Sequence, residues 1–332
     1  QGKGKITYPD GAVYVGNMLA GQRAGQGKLT MADGLTYEGV WKGGQMNGKG
    51  RLTQANGDVY DGMMAGGKRE GPGKATYASG DTYEGGFAND KRQGKGVFTG
   101  VDGYIYDGDW VEGRIEGMGR VTYPDGSVYE GAFANDVPEG QGKITYPDGS
   151  TYEGGWVAGE ISGKGVARYA NGLVYDGEFL AAKNHGTGKM TYPDGYTYEG
   201  GWAEGQRQGQ GIATYADGTV YTGGFVAGQR EGRGKITMPD GFTYEGDWKS
   251  GEIDGQGKAT YANGDIYEGS FVGGKRQGKG TMRYKTGEVA TGSWSENTLT
   301  EDAAPTPDTN TETETGDASA PVTGTNPAPV EN

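Results

Sequence analysis

Few side chains in this 332-residue sequence could carry out catalysis. The chain contains no cysteine and a single histidine, His185. The usual pairs of a nucleophile and a base, Ser–His or Cys–His, therefore cannot be assembled. We predict that His185 is an ordinary exposed loop residue and that the protein is not an enzyme.

Other residue patterns imitate cofactor and metal sites without completing them. Residues 43–50 (GGQMNGKG) and 273–280 (GGKRQGKG) resemble a phosphate-binding loop, yet glycine stands where Mg²⁺ requires Ser or Thr. The many Asp-Gly pairs lack the alternating acids of a calcium loop. The sequence therefore predicts no cofactor, no metal and no catalytic residue.

Aromatic residues are the one chemically capable group with regular spacing. Tyrosine recurs every 23 residues at twelve positions from Tyr14 to Tyr267, and Ala290 stands next in the series. We call these the ladder tyrosines. Four residues after each comes a large apolar residue, and all six tryptophans occupy that position.

Two roles for these rings are open from the sequence. They can pack between repeats, or they can line an exposed groove that binds an extended peptide or a glycan. The candidate groove residues are Tyr106, Trp110, Tyr152, Trp156, Tyr198, Trp202, Tyr244 and Trp248.

The elements that position the rings are β-hairpins. Four residues before each ladder tyrosine stands a turn signal, such as Asp10-Gly11 or Asn56-Gly57. Segments such as 143–146 (KITY) and 151–154 (TYEG) flank it and alternate with the period of a strand. We predict a three-residue Pro-Asp-Gly loop, with a type I turn and a left-handed glycine.

Charged residues indicate the register of each hairpin. A base is usually followed ten positions later by an acid, which places the two opposite each other across the loop. The pairs are Lys28/Glu38, Arg51/Asp61, Lys74/Glu84, Arg120/Glu130, Lys143/Glu153, Lys189/Glu199, Lys235/Glu245 and Lys258/Glu268. This register places Ile144, Tyr146, Tyr152, Gly154 and Trp156 on one face, and Lys143, Thr145, Thr151 and Glu153 on the other.

A lone hairpin is unstable in water, so neighbouring repeats must cover the aromatic face. Glycines opposite the rings let them lie flat against bare backbone. The predicted fold is all-β, an elongated solenoid or single-layer sheet of about thirteen stacked 23-residue hairpins, extending on the order of 120 Å. A double period accompanies it, because Trp and Phe alternate from Trp110 to Trp294. Trp repeats tend to carry Ile or Met nearby, and Phe repeats often carry Arg or Lys.

The repeating string resembles a known family. It reads YEGVWKGGQMNGKG from Tyr37 and YEGGWAEGQRQGQG from Tyr198, and it is similar to the MORN (membrane occupation and recognition nexus) repeat. The resemblance covers residues 1–295 and implies an elongated sheet of stacked hairpins with no family-wide catalytic residues. It also implies diverse roles in membrane junctions, cytoskeletal rings and the flanks of catalytic domains. Departures are Met18 and Met64 in place of the aromatic residue, Ala290, and Ala181-Ala182 in a region that usually contains Gly.

The repeat pattern stops near residue 296. The sequence from residue 301 contains seven acids, no base and no aromatic residue, and is rich in Thr, Pro and Ala. Such a composition cannot bury enough apolar surface to fold. We therefore divide the chain into a repeat array, residues 1–295, and a disordered acidic tail, residues 296–332.

Charge narrows the range of partners. The net charge of −13 excludes nucleic acid as an expected partner and disfavours anionic lipid, since both are bound mainly through basic side chains. The expected function is an interaction scaffold for a protein partner, with homodimerisation or end-to-end or lateral self-association through open sheet edges. The alternatives are a peripheral phospholipid-binding module and a glycan-binding envelope protein that uses the Tyr/Trp trough.

The absence of cysteine and the non-Met start favour a bacterial periplasm or cell envelope, with a cytoplasmic or membrane-peripheral location as the alternative.

Overall fold

The computed structural model describes residues 2–303, and every regular element in that range is a β-strand. The described residues divide into two compact units, residues 2–170 and 171–303. The first unit contains β1 (Gly2–Thr7), β2 (Val13–Leu19), β3 (Gln22–Thr30), β4 (Thr36–Lys42), β5 (Gln45–Thr53), β6 (Val59–Ala65), β7 (Lys68–Thr76), β8 (Thr82–Ala88), β9 (Lys91–Thr99), β10 (Ile105–Val111), β11 (Arg114–Thr122), β12 (Val128–Ala134), β13 (Val137–Thr145), β14 (Thr151–Val157) and β15 (Glu160–Arg168). The second contains β16 (Val174–Leu180), β17 (Lys183–Thr191), β18 (Thr197–Ala203), β19 (Gln206–Thr214), β20 (Val220–Val226), β21 (Gln229–Thr237), β22 (Thr243–Lys249), β23 (Glu252–Thr260), β24 (Ile266–Val272), β25 (Lys275–Arg283), β26 (Val289–Ser295) and β27 (Thr298–Ala303).

Each unit is one antiparallel sheet in which consecutive strands pair with each other. Seven-residue strands that carry the ladder tyrosines alternate with nine-residue strands that carry the glycines. The predicted all-β array of hairpin repeats is confirmed.

The tight turn within each hairpin is the predicted three-residue loop. Between β13 and β14, the Tyr146 amide donates to the Ser150 carbonyl at 2.8 Å and the Gly149 amide donates to the Tyr146 carbonyl at 3.0 Å. Gly149 has φ of 88°, the left-handed conformation of the bulge residue in such loops. Asp148 then accepts the Ser150 amide at 2.8 Å through its Oδ1. The Pro-Asp-Gly sequence thus suits both the turn and its bulge.

A different loop joins one repeat to the next. Val157 pairs with Glu160, so only Ala158 and Gly159 form the loop, and both have positive φ. Two left-handed residues define the type I′ turn, which matches the twist of antiparallel strands. Ala181 and Ala182 adopt the same conformation without a glycine, at φ of 48° and 61°. The segment between hairpins is therefore a tight two-residue loop followed by strand.

A bulge interrupts the pairing that joins each repeat to the following one. Between β12 and β13 the register shifts after Gly131, so that Phe133 faces Pro138. A bulge leaves backbone groups without ladder partners. The ladder tyrosine supplies one: the Tyr129 hydroxyl donates to the Ala132 carbonyl at 2.9 Å. All twelve ladder tyrosines make this bond to the residue three positions later.

The interior of each unit is a zipper of rings. Tyr129 is fully buried between Phe133 of its own repeat and Trp156 of the next, with centroid distances of 5.1 and 5.0 Å and edge-to-face geometry. Glycine makes room for the ring: a Cβ on Gly142 would lie 2.2 Å from the Tyr129 hydroxyl oxygen. The prediction that rings lie against bare backbone is confirmed.

Burial of the ladder tyrosines predicts a specific alkaline transition. Burial raises the pKa of Tyr129 from 10.0 to about 12, because the low-dielectric interior disfavours the phenolate. Because the pKa is higher in the folded than in the unfolded state, the stability that the neutral hydroxyl contributes is fully present below pH 10. It is lost as the pH rises toward 12. We expect phenolate absorbance of the ladder tyrosines and loss of β-sheet circular dichroism to appear together in that interval. The chain in denaturing guanidinium serves as the control, and ionisation of every tyrosine near pH 10 with intact strands would contradict the prediction.

The array extends beyond the boundary drawn from the sequence. Residues 298–303 form β27, which pairs with β26, although the sequence analysis assigns them to the tail. The reason is visible in the register, because Leu299 faces Trp294 as Ile161 faces Trp156. The predicted disorder beyond Ala303 concerns residues outside the described range.

Candidate interaction surfaces

The eight rings proposed to line an exposed groove are buried. Their exposed fractions range from 0 to 6%, and they pack within the ring zipper of their units. The residues are Tyr106, Trp110, Tyr152, Trp156, Tyr198, Trp202, Tyr244 and Trp248. The expectation of an open aromatic groove is therefore corrected, because neighbouring repeats cover these rings on both sides. Their packing role, left open by the sequence, is the one that the structure shows.

The tryptophans also hold neighbouring strands together through hydrogen bonds. The indole N–H of Trp156 donates to the Gly142 carbonyl at 3.3 Å, and that of Trp110 donates to the Gly96 carbonyl at 3.0 Å. All six tryptophans bind the glycine fourteen positions earlier. Phenylalanine has no such donor, so the two residue types are not equivalent in this position.

The double period arises from the residue that faces each ring. In most Trp repeats that residue is apolar, as Ile115 faces Trp110. In most Phe repeats it is arginine, and its guanidinium reaches the Trp of the next repeat: Arg92 lies 4.2 Å from the Trp110 centroid. Arg230 and Arg276 repeat this contact with Trp248 and Trp294 at 4.4 and 4.6 Å. Cation–π stacking therefore supplements apolar packing at these three tryptophans.

A row of mostly alternating charge crosses the opposite face of each unit, interrupted by uncharged residues such as Val97 in the first unit and Ile212 in the second. The predicted cross-strand pairs are confirmed in register, and seven of the eight have N···O distances of 2.8 to 4.0 Å. The structure adds pairs between repeats that the sequence analysis missed, since Glu130 faces Lys143 and Glu245 faces Lys258. We call this the charge row. Its ion pairs are solvent-exposed and contribute at most about 1 kcal/mol each.

A shallow groove runs beside the charge row in the second unit. We call it the polar groove. It crosses six strands, from β21 to β26, and its volume is about 900 Å³. Glycine backbone forms the floor, and the charge row forms one wall. The other wall is formed by residues that lie two positions before or after a charge-row residue on the same strand. The lining residues are Arg233, Glu245, Gly246, Gln256, Gly257, Lys258, Glu268, Gly269, Lys279, Gly280, Thr281, Thr291 and Gly292.

The first unit contains an equivalent groove of about 630 Å³. It crosses β9 to β14 in the same rows and is lined by Lys95, Asp107, Gly108, Met118, Gly119, Arg120, Glu130, Gly131, Gln141, Gly142, Lys143 and Glu153. The exposed residues between the paired glycines could have indicated both grooves from the sequence. Only the strand register shows that these residues lie on the same face as the charge row.

Ion pairs hold in place the wall opposite the charge row in both units. Asp109 binds Lys95 at 2.8 Å and accepts the Met118 amide at 3.0 Å. The hydrogen bond from Lys95 holds the pKa of Asp109 below its usual value. Asp247 makes the same contacts in the second unit, with Arg233 at 3.5 Å and the Gln256 amide at 2.9 Å. The groove walls are thus built alike.

A second exposed feature lies at the turn end of the ring-bearing face. In the first unit Tyr123, Ser127, Tyr146, Ser150 and Tyr169 occupy successive strand ends, so that large and small side chains alternate. We call this set the tyrosine ridge. Tyr146 and Tyr169 are each 37% exposed, while Ser127 is only 3% exposed. Rings therefore project on either side of serine-floored notches.

His185 differs from its prediction as an exposed loop residue. It lies in β17 opposite Glu178, is half-buried, and its carbonyl accepts the Tyr175 hydroxyl at 3.3 Å. The two-residue loop ends at Ala182, so the segment taken for a loop is strand. Within residues 2–303 no three His, Cys, Asp or Glu side chains cluster as metal ligands would. The same range contains no helix long and apolar enough to cross a bilayer.

These features define a β-hairpin repeat protein in which the repeats of each unit pack their rings into a common interior. The MORN repeat family model matches thirteen consecutive segments, so the chain belongs to the MORN repeat family. The matched residues are 1–13, 14–36, 37–59, 60–82, 83–103, 106–128, 129–151, 152–174, 175–195, 198–220, 221–243, 244–266 and 267–289. Comparison with curated proteins finds no matching relative.

Solved structures with some likeness have sequences of low identity to this chain. The TCP10 domain of Danio rerio CPAP in complex with a STIL peptide is 17% identical with a TM-score of 0.35, covering 73% of this chain and 96% of that one. The SAS-4 TCP domain of Drosophila melanogaster with a proline-rich motif of Ana2 is 14% identical with a TM-score of 0.29, covering 60% and 90%. TM-scores this low carry no argument about function.

Proposed function

We propose that this protein is a non-enzymatic scaffold that binds an extended segment of a partner protein in the polar groove of the second unit. The observation that carries the proposal is the groove itself, a glycine-floored channel with fixed charges of both signs on its walls. Within the described residues, the ladder tyrosines and the tryptophans of the opposite face are buried and line no groove. Membership of a repeat family without common catalytic residues supports the non-enzymatic reading.

The dimensions of the groove suit an extended polypeptide. Its six strands span about 24 Å at 4.8 Å per strand, which corresponds to about seven extended residues. The walls are two residues apart along each strand, about 7 Å, which leaves room for one extended backbone, since neighbouring strands lie only about 4.8 Å apart. A globular surface would not reach the glycine floor between these walls.

The charges of the groove favour a protein over a polyanion. Lys258 lies between Glu245 and Glu268 in the charge row, so each acid reduces the attraction of its basic neighbour for phosphate. Nucleic acid and anionic membranes need unpaired basic side chains. A peptide with alternating charge can pair with both signs, and such pairing gives specificity.

A crosslinking experiment tests this site. We would place a photoreactive benzoylphenylalanine at Gln256, crosslink in an extract of the source organism, and identify the captured segment by mass spectrometry. A synthetic peptide of that segment would then be titrated calorimetrically. We expect R233E/K279E to weaken its binding at least tenfold, because both bases line the groove, whereas K249E, with the same kind of charge change outside the groove, leaves it unchanged.

Each outcome has a defined meaning. Capture of a second copy of this chain, with the same dependence on Arg233 and Lys279, would support the scaffold and identify self-association as its mode. Equal affinity of the wild type and R233E/K279E would contradict the proposed site. Binding to phosphatidylserine vesicles with no peptide captured at Gln256 would contradict the proposal in favour of a lipid-binding module.

A further inference from the structure

We propose that the tyrosine ridge of the first unit is a separate docking surface for a proline-rich segment in the polyproline II conformation, bearing a basic residue. The ridge lies on the face opposite the charge row, so this inference goes beyond the function proposed for the polar groove and does not depend on it. It rests on the spacing, the rigidity and the charge of the ridge.

Spacing is the first argument. Tyr123, Tyr146 and Tyr169 follow β11, β13 and β15, and Ser127 and Ser150 precede β12 and β14 between them. Neighbouring strands lie about 4.8 Å apart, so the rings recur about every 9.6 Å with a serine notch between each two. The notches therefore form a row across the strand ends.

This period selects among peptide conformations. Polyproline II has three residues per turn and a rise of 3.1 Å, so one side of it repeats about every 9.3 Å. An extended strand repeats every 6.6 to 6.8 Å, and an α-helix rises 5.4 Å per turn. Only the polyproline helix can place every third residue in successive notches without losing register.

The notch is rigid before any ligand binds. The Ser150 hydroxyl donates to Asp148 at 2.9 Å and accepts the amide of Ala170, in the next turn, at 3.0 Å. Among residues 2–303, the hydroxyls of Tyr146 and Tyr169 have no hydrogen-bond partner. Polyproline carbonyls are solvated and have no internal donors, so these hydroxyls can bind them. Aromatic-lined grooves recognise such helices in this way.

Charge and the second unit add two further observations. Asp125 and Asp148 are exposed in the turns beside the notches, so a basic residue in the ligand would be attracted there. In the second unit Tyr196 occupies the position equivalent to Ser150, and its ring lies 5.1 Å from the rings of Tyr192 and Tyr215. The notch is filled at that point, which shows that the fold accepts a ring in this position.

The tyrosine that fills the notch in the second unit suggests the variant that tests the proposal. We would titrate the full chain into a fluorescein-labelled peptide, RPPAPPAPPR, and follow fluorescence anisotropy. We expect saturable binding by the wild type and at least tenfold weaker binding by S150Y, which closes the notch as Tyr196 does. T145Y adds the same ring to the opposite face and should bind within twofold of the wild type. Thermal unfolding followed by circular dichroism would show that both variants are folded.

Two further measurements separate this site from the polar groove. RSGASGASGR, which has the same charges but cannot form a stable polyproline helix, should not bind. The groove variant R233E/K279E should bind RPPAPPAPPR as the wild type does. Absence of wild-type binding, equal binding by S150Y, or equal binding of the Ser/Gly peptide would each overturn the inference, and none of these results would affect the proposal for the polar groove.

Discussion

Replacing Tyr129 with alanine is expected to lower the free energy of unfolding by about 3–5 kcal/mol, the range for removing a large buried ring. The ring is fully buried, contacts Phe133 and Trp156 edge to face, and covers Gly142. Alanine would leave a cavity between two repeats, because the glycine backbone beneath has no side chain to fill it. Urea unfolding followed by tryptophan fluorescence and circular dichroism measures the loss.

Two control variants distinguish the stability that the buried ring contributes from that of its hydroxyl and from that of an exposed tyrosine. Y129F keeps the ring but leaves the Ala132 carbonyl without its donor, so a loss of about 1–3 kcal/mol is expected. Y146A removes a tyrosine that is 37% exposed and directly follows the next strand, β13. It should lower the free energy of unfolding less than Y129A does. If the unfolding curve of Y129A coincides with that of the wild type, the ring zipper does not hold the repeats together.

Substitution of a paired glycine should be nearly as damaging, for a steric reason. A Cβ on Gly131 would lie 2.5 Å from the Cα of Gly142 and 2.7 Å from the Gln141 carbonyl oxygen. Both are backbone atoms of the neighbouring strand, so relief requires the strands to separate. We expect G131A to lose about 3 kcal/mol or more, at the upper end of overpacking effects, measured by the same urea unfolding. G4A, where no atom lies within 4 Å of the added Cβ, is the control and should change stability by less than about 0.5 kcal/mol.

The partner glycine permits a test of cause. The three atoms nearest to a Cβ on Gly142 would all belong to Tyr129, at 2.2 to 2.5 Å. G142A should therefore be destabilising in the wild type but cost little in a Y129A background, since the clashing ring is gone. The difference between the two backgrounds measures the coupling of ring and glycine. Additive losses would show that Gly142 is needed for some other reason, such as its backbone conformation.

The two proposed surfaces, each in its own unit, use different properties of the same kind of sheet. The polar groove depends on side chains that point away from the rings and on glycine backbone between them. The tyrosine ridge depends on the ends of the hairpins, where the ring zipper stops and Tyr146 and Tyr169 reach solvent. A partner of either surface would contact several consecutive repeats, so binding should stiffen that part of the array.

Much of this protein follows from its sequence because hairpin geometry is local. The Pro-Asp-Gly loop, the ten-residue pairing of Lys143 with Glu153 and the separation of faces all involve residues within one 23-residue unit. A tight turn sets the register on both sides of itself. Pattern reasoning was therefore sufficient for the repeat, the turn and the family.

The tertiary structure decided what covers the rings and where partners can reach the protein. Tyr129 packs against Trp156 of the next repeat, and Arg92 faces Phe87 across the pairing that joins two repeats. A bulge shifts the register of that pairing, and no local pattern reveals the shift. The sequence predicted that neighbouring repeats cover the aromatic face, but it left open whether some rings line an exposed groove. His185 was assigned to a loop for the same reason, since the two-residue loop before it is set by pairing between strands. Turns within a repeat are encoded locally, whereas burial is decided by the neighbouring repeat.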